Sequence, residues 1–196
     1  MPVVDLIQLV KMVEKPNMQV AEIGVYDGES TFTYIDIIKK NKGKLFLIDT
    51  WMGNVGETQG PHRYNPNTWY DVYTKLRNKI KFKGYKKITK FYKMDSNKAY
   101  KLIPYKSLDL CFIDGDHGYK GVMKDINNYK SKVKSGGILA GHDYNIDYQI
   151  GQEYSEDVLE NQGSHYGVSK AVIEVFGDKF SLLNGEGNNH CWYIKL

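Results

Sequence analysis

The sequence predicts an α/β fold with a mostly parallel, seven-stranded sheet, helices on both faces and a C-terminal antiparallel hairpin. Short apolar segments alternate along the chain with longer segments whose apolar residues recur at helical spacing, which is the order that builds a parallel sheet. The segment Leu108–Ile113 is almost entirely apolar, as expected for a central strand covered on both faces. Near the C-terminus, two strand-like segments flank a turn rich in Gly and Asn.

Each element follows from its local pattern. The predicted strands span residues 19–25, 44–48, 88–93, 108–113, 137–140, 180–183 and 191–194. The predicted helices span residues 4–14, 30–40, 68–82, 96–102, 119–133 and 168–176, and the first ends before Pro16 because proline breaks a helix. Residues 50–67 and 144–166 are polar and contain Gly, and we expect them to be substrate or lid loops. All 196 residues are expected to form one domain that begins with a helix within residues 1–15.

The composition is typical of a globular protein, with 41% apolar and 26% charged residues. The net charge of +4 is modest and indicates solvated surfaces rather than a nucleic-acid partner. Cys111 and Cys191 lie in separate apolar segments and are expected to be reduced, buried thiols. Residues 1–13 do not resemble a signal peptide, and no segment reaches the length of a membrane span. We therefore expect a cytoplasmic protein with no membrane partner, and a homo-oligomer remains open.

The first predicted strand runs into a glycine-containing turn and then a helix. Gly24 and Gly28 would let the backbone turn tightly and approach a nucleotide-like ligand, and Ser30 is suited to cap the helix. The segment is not the dinucleotide pattern G-x-G-x-x-G, because Tyr26 replaces its second glycine. Taken alone, the turn is equally compatible with an ordinary strand-to-helix connection.

Two further acidic positions strengthen the interpretation of a nucleoside site. Asp49 ends the second predicted strand, where a carboxylate is suited to accept hydrogen bonds from both ribose hydroxyls of an adenosine ligand. Asp95 follows the third predicted strand, beside Ser96, and is suited to bind the adenine amino group. Asp95 is equally suited to cap the short helix that follows, and the two roles are compatible.

Several segments, in this order, resemble one family. They are Glu22-Ile-Gly-x-x-x-Gly-x-Ser, Ile48-Asp-Thr-Trp, Phe112-Ile-Asp-Gly-Asp-His-Gly-Tyr, Gly136-Gly-Ile-Leu-Ala-Gly-His-Asp-Tyr and Gly167-Val-x-x-Ala-Val. The chain resembles class I S-adenosylmethionine-dependent methyltransferases of the methyltransferase family 24 type, from about Val20 to the C-terminus. The resemblance implies a Rossmann-like fold, S-adenosylmethionine as the cofactor and methyl transfer as the activity.

The resemblance also implies roles for individual residues. The methionine end of the cofactor would lie against Glu22, Gly24, Asp27 and Gly28. Asp49 would hold the ribose, and Asp95 with Ser96 would hold the adenine. The cofactor site would also include Ser30, Thr50 and Asp114.

A second group of polar residues follows the fourth and fifth predicted strands. Asp114, Asp116 and His117 follow the fourth strand, and His142 and Asp143 follow the fifth. In an open parallel sheet, ligands bind beyond the carboxyl ends of the strands, so these groups fall at the functional edge. In one mechanism, His117 removes the proton from an acceptor hydroxyl, with His142 as the second candidate base; Asp143 belongs to the same catalytic set.

In the other mechanism, a divalent cation such as Mg²⁺ binds Asp114, Asp143 and also His142, and lowers the pKa of the hydroxyl. Metal-dependent catechol-type O-methyltransferases, which the chain resembles in part, carry Asp-Asn where this chain has His142-Asp143. Because of this difference, the sequence does not decide whether the chain requires a metal. Hard oxygen ligands favour Mg²⁺ or Ca²⁺, whereas imidazoles favour a transition metal.

The acceptor is predicted to be an oxygen on a small molecule or sugar. Aromatic and polar residues of the two loops are candidates for its pocket: Trp51, His62, Arg63, Tyr64, Trp69, Tyr144, Tyr148, Tyr154, His165 and Tyr166. The chain has no Asp/Asn-Pro-Pro-aromatic motif and no Cys after the fourth strand, which argues against the DNA base methyltransferases. Two alternatives remain, a nicotinamide-dependent oxidoreductase and a non-catalytic S-adenosylmethionine-binding protein.

Overall fold

A computed structural model describes residues 3–53, 65–186 and 188–196. Seven strands form one sheet in the order β3-β2-β1-β4-β5-β7-β6. They are β1 (Gln19–Ile23), β2 (Lys44–Asp49), β3 (Thr89–Lys93), β4 (Leu108–Ile113), β5 (Val133–Asn145), β6 (Ser181–Glu186) and β7 (Asn189–Lys195). Strands β1 to β5 are parallel, and β7 runs antiparallel to both β5 and β6. The predicted α/β fold with a seven-stranded mixed sheet is confirmed.

Seven α-helices accompany the strands in the described part of the chain. They are α1 (Val3–Met12), α2 (Glu29–Lys40), α3 (Pro66–Phe82), α4 (Ser96–Ala99), α5 (Tyr119–Lys130), α6 (Glu156–Leu159) and α7 (Tyr166–Phe176). A 3₁₀ turn, Tyr100–Leu102, continues α4. Helix α3 begins two residues before its predicted start because Asn65 caps it and Pro66 fits its first turn. None of the helices described here has both the length and the apolar character that a membrane crossing requires.

The two faces of the sheet are buried in separate apolar clusters. Along β4, Leu110 and Phe112 pack with residues of α1, α2 and α3, whereas Cys111 and Ile113 pack with residues of α4, α5 and α7. Successive side chains of a strand point to opposite faces. The uninterrupted apolar sequence of β4 is therefore explained by burial on both sides.

Three predicted boundaries were wrong around β5. The helix predicted over 119–133 ends at Lys130, and Val133 instead pairs with Leu108 in the sheet. The strand predicted over 137–140 extends to Asn145, because β7 supplies partners as far as that residue. The segment 144–166, predicted as a loop, therefore starts within a strand and contains the short helix α6.

Candidate active site

A cleft of about 1080 Å³ opens at the carboxyl ends of β1 to β5. Residues after β1, β2 and β3 line one part of it: Gly24, Val25, Tyr26, Asp27, Glu29, Ser30, Asp49, Thr50, Gly53, Met94, Asp95, Ser96 and Asn97. The other part is lined by residues after β4, by two residues near the end of β5 and by residues of the segment that contains α6: Asp114, Gly115, Asp116, His117, His142, Asp143, Glu160, Gln162 and His165. The prediction that His142 and Asp143 follow the fifth strand was wrong, because pairing with β7 extends β5 to Asn145. The two groups of predicted site residues thus share one cleft.

Gly24 is required where β1 meets the loop after β4. Its φ is +80°, and a Cβ at this position would lie 1.9 Å from the backbone oxygen of Asp114. A side chain would therefore separate the two loops that form the floor of the cleft. Gly28, with a φ of +82°, is the N-cap of α2, so the prediction that Ser30 caps this helix was wrong.

Glu22 lies beneath the cleft rather than at its surface. Its side chain is fully buried, and its carboxylate accepts hydrogen bonds from the hydroxyls of Ser30, Thr31 and Tyr34, the last two at 2.6 Å. Burial raises the pKa of Glu22 to about 7, against the effect of these three hydrogen bonds. The predicted residues Glu22 and Gly28 are thus placed behind the residues that line the cleft.

Asp49 organises the turn that follows β1. Its Oδ2 accepts hydrogen bonds from the backbone N–H groups of Val25 and Tyr26, at 2.9 and 3.0 Å. Its Oδ1 accepts one from Trp51 N–H at 2.7 Å. A carboxylate offers about four acceptor positions, so about one remains for a ligand. Asp49 lines the cleft, and its role of holding the two ribose hydroxyls stays a prediction.

Three acidic side chains surround the far end of the cleft. Asp95 caps α4 by accepting a hydrogen bond from Asn97 N–H at 2.7 Å, as predicted. Asp125 on α5 is almost fully buried, and its Oδ1 has no hydrogen-bond partner within the described chain. Burial, with Asp116 and Asp95 nearby, raises the pKa of Asp125 to about 7. The neutral form of this carboxyl group is therefore well populated at neutral pH.

Five side chains, which we call the His–Asp cluster, meet beyond β4 and β5: Asp114, His117, His142, Asp143 and His165. Asp143 lies at their centre. His142 Nδ1 is 2.9 Å from Asp143 Oδ1, and His165 Nδ1 is 3.4 Å from the same oxygen. His117 Nε2 lies 3.2 Å from Asp143 Oδ2 and 3.7 Å from Asp114 Oδ1, but in neither case with regular hydrogen-bond geometry.

A β-bulge positions the cluster. The pairing of β5 with β7 shifts between Gly141 and Tyr144, and Asp143 has a φ of +60°. A bulge bends a strand and redirects its side chains. Asp143 and His165, whose φ is +57°, both adopt a left-handed conformation that non-glycine residues rarely occupy. Such strain is typical of functional sites.

The protonation of the cluster follows from its charges. Burial alone would lower the pKa of His117, but the carboxylates of Asp114 and Asp143 outweigh it and raise this pKa to about 9. The same carboxylates raise the pKa of His142 against the effect of burial. Burial would raise the pKa of Asp143, but its histidine neighbours, His142 first, lower it. Near neutral pH, the cluster therefore holds His117 protonated beside an ionised Asp143.

Gln162 ties the segment after β5 to the loop after β4. Its Oε1 accepts a hydrogen bond from His117 N–H at 3.0 Å, and its Nε2 donates one to Asp116 Oδ1 at 2.9 Å. Asp116 also accepts from Gly118 N–H at 2.9 Å. The side chain of Gln162 thus fixes the loop that carries His117.

Only some of the predicted acceptor-pocket residues line the cleft. Trp69 and His165 do so. Tyr148, Tyr154 and Tyr166 instead pack against one another, with ring centroids 5.0–5.9 Å apart. The predicted residues His62, Arg63 and Tyr64 lie outside the described residues.

Three residues of the site were not predicted in these roles. The sequence analysis assigned no role to Gln162 or Asp125, and it assigned His165 to the acceptor pocket but not to the chemistry. His165 comes 22 residues after Asp143, and Gln162 comes 45 residues after His117. Neither residue lies at the end of a predicted strand, whereas a position at a strand end is what pointed to the other site residues. Asp125 carries a weak signal, since it lies on the apolar face of α5 with Val122, Ile126 and Tyr129.

A family model described as a methyltransferase domain matches residues 21–144 of the chain. A curated protein described as uncharacterized protein R132 of Acanthamoeba polyphaga mimivirus is 35% identical over 74 residues. That match covers 38% of this chain and 28% of the relative, so the chain spans less than a third of the relative's length.

Solved structures with similar folds include the O-methyltransferase NovP, with a TM-score of 0.68, 14% identity and coverage of 99% of this chain and 79% of that chain. Cofactor-bound Rv0187 from MTB has a TM-score of 0.67 and 12% identity, with 97% and 77% coverage. An rRNA methylase from Streptococcus thermophilus has a TM-score of 0.64 and 10% identity, with 100% and 96% coverage. At these identities, the likeness shows the fold alone.

Proposed function

Because the chain belongs to the methyltransferase domain family matched over residues 21–144, we propose that it transfers a methyl group from S-adenosylmethionine to an oxygen of a small molecule or sugar. The observation that carries this proposal is the shared cleft. Asp49 and Asp95 line one part of it, and His117 and Asp143 line the other. A donor and an acceptor bound in these two parts would meet beside the His–Asp cluster.

The donor would lie across the ends of β1, β2 and β3. The backbone turn at Gly24 allows close approach of the methionine part, with Asp27 and Ser30 alongside. Asp49 has one free acceptor position for a ribose hydroxyl, and Thr50 lies next to it. Asp95 accepts from the adenine amino group, and Ser96 lies beside the base.

The reaction joins an acceptor oxygen to the methyl carbon. A lone pair of the acceptor hydroxyl attacks the carbon, the carbon–sulfur bond breaks, and its electron pair stays on sulfur. The hydroxyl proton passes to a base, for which His117 is the candidate and His142 the second. With a pKa of about 9, His117 is a strong base when neutral, but only on the order of 1% of it is neutral at pH 7. Alignment of oxygen, carbon and sulfur supplies much of the remaining acceleration.

The residues present also fit a divalent cation. Asp114, His142 and Asp143 each offer a ligand atom, and these atoms lie within 4.8 Å of one another. The Nε2 atom of His142 is buried and has no hydrogen-bond partner among the residues described. When bound, a cation at this set would lower the pKa of the acceptor hydroxyl and orient it.

The charge of the cleft favours a neutral or cationic acceptor. Nine of the described residues that line it are Asp or Glu, and none is Lys or Arg. A phosphate-rich acceptor such as a nucleic acid needs basic contacts. The similarity to an rRNA methylase is therefore not matched by the charge of this site.

Calorimetry with S-adenosylmethionine and S-adenosylhomocysteine tests the proposal. We expect binding by the wild-type chain and at least a tenfold loss (roughly 1.4 kcal/mol) in Asp49→Asn, which keeps the size of the side chain but weakens its acceptor. Asp178→Asn, at an exposed position outside the cleft, serves as the matched control and should bind normally. Folded wild-type protein that binds neither compound, but binds a nicotinamide dinucleotide, would refute the proposal and favour an oxidoreductase.

A further inference from the structure

The candidate cation site has a mixed set of donors. Asp114 and Asp143 supply carboxylate oxygens, and His142 supplies an imidazole nitrogen. Two carboxylates balance the charge of a dication, and a neutral imidazole adds a ligand without adding charge. A second set of ligand atoms within 4.8 Å of one another joins Asp143 to the imidazoles of His117 and His165. Nitrogen donors thus surround Asp143 on several sides.

The state of the His142 ring indicates that a nitrogen ligand is available. Its side chain is 9% exposed, and its Nδ1 lies 2.9 Å from Asp143 Oδ1. This contact places the proton of the neutral ring on Nδ1, which leaves a lone pair on Nε2. Because Nε2 is buried without a hydrogen-bond partner in the described chain, it carries the desolvation penalty of an unpaired polar atom. A metal ion is a partner that would remove this penalty.

We propose that this set binds a borderline divalent transition cation, such as Co²⁺ or Zn²⁺, in preference to Mg²⁺, and that His142 determines the preference. The proposal rests on the cation site of the proposed function and names the class of its occupant. Mg²⁺ prefers an octahedron of oxygen ligands and gives up water reluctantly. Imidazole is a favoured ligand of zinc, iron, copper and nickel. Because one of the three donors is the imidazole of His142, the set disfavours Mg²⁺.

Cobalt binding to the metal-free, full-length chain provides the test, because Co²⁺ in a nitrogen-containing site absorbs visible light. We expect one Co²⁺ per chain, displaced by Zn²⁺ at similar concentration but by Mg²⁺ only at a large excess. His142→Asp gives a set of three carboxylates, in which every ligand atom is an oxygen. It should weaken Co²⁺ binding by about 10–100-fold while Mg²⁺ binding is retained or strengthened.

Control variants separate this site from others. His190 on β7 does not line the cleft, so His190→Asp should leave Co²⁺ binding unchanged. Circular dichroism checks the folding of each variant, and His142→Asn replaces His142→Asp if the latter does not fold. Displacement of Co²⁺ by equimolar Mg²⁺, or an unchanged ratio of the two affinities in the folded His142 variant, would overturn the proposal.

Donor calorimetry on the same samples keeps the two proposals apart. Binding of S-adenosylmethionine without selective Co²⁺ binding overturns the metal inference and leaves the proposed function standing. Selective Co²⁺ binding without donor binding overturns the proposed function instead.

Discussion

The buried carboxyl group of Glu22 makes the stability of the fold depend on pH. Its pKa is 4.5 in an ordinary environment and about 7 in the folded chain, so the folded state binds this proton more tightly than the unfolded state. The stability that this tighter proton binding contributes is fully present below pH 4.5 and is lost as the pH rises through 7. The size of the pKa change corresponds to about 3 kcal/mol in the free energy of unfolding.

Glu22→Gln removes this titration but keeps a polar group for the hydroxyls of Ser30, Thr31 and Tyr34. Urea unfolding is measured for both proteins between pH 4.5 and 7.5, and the difference between their free energies of unfolding is compared across the range. Other groups that titrate, such as Asp125, cancel in this comparison. We expect the wild type to lose about 3 kcal/mol relative to Glu22→Gln between these limits.

A matched control uses Glu153→Gln, at an exposed position, which should follow the wild-type curve. If the free energies of unfolding of wild type and Glu22→Gln change in parallel with pH, the pKa of Glu22 does not rise on folding. The same result would show that the three hydroxyls compensate its charge fully, and the argument from burial would then be wrong.

Three other perturbations test the site and its support. Gly24→Ala places a Cβ 1.9 Å from the Asp114 backbone and should lower the free energy of unfolding by several kcal/mol. The control Gly151→Ala has a φ of +87° but no atom within 4 Å of the added Cβ, and it should lower the free energy of unfolding by about 1 kcal/mol. Thermal unfolding of the two variants compares these effects. Asp109→Asn removes the carboxylate that pairs with Lys15 and Lys134. It should cost about 1–2 kcal/mol in urea unfolding at pH 7, because both lysines are partly exposed and can be solvated, and an unchanged midpoint would contradict this. Asp143→Asn should lower the pKa of His117 from about 9 in an NMR titration of the metal-free chain, and an unchanged pKa would exclude Asp143 as its cause.

The order of strands and helices was predictable from sequence because each element carries its own apolar pattern. The central strand Leu108–Ile113 was placed without error. The boundaries of β5 were not predictable in the same way. Val133 follows the apolar stripe of α5 in sequence but pairs with Leu108, and only the partner strand decides this. The extension of β5 to Asn145 likewise depends on β7, which comes more than 40 residues later.

The candidate site shows a similar limit. Asp114 and His117 follow β4, and His142 and Asp143 lie near the end of β5. These four residues were predictable because topology places the ends of parallel strands at one edge. His165 and Gln162 reach this edge through the path of the segment after β5, for which the sequence carries no periodic signal. The burial of Glu22 beneath the cleft was not predictable from the sequence for another reason. The alternation of side chains along β1 does not reveal that three hydroxyl groups of α2 will surround the buried carboxylate of Glu22.

The cleft and the whole chain differ in the sign of their charge, and this difference bears on the proposed reaction. The chain has a net charge of +4, yet nine acidic residues and no Lys or Arg line the described cleft. The methyl donor carries a sulfonium cation, which transfer converts into a neutral thioether. A negative cleft therefore stabilises the donor more than the spent product. The same carboxylates raise the pKa of His117 and would favour a cation at the His–Asp cluster, so the proposed donor, base and cation site would all depend on this one group of acidic residues.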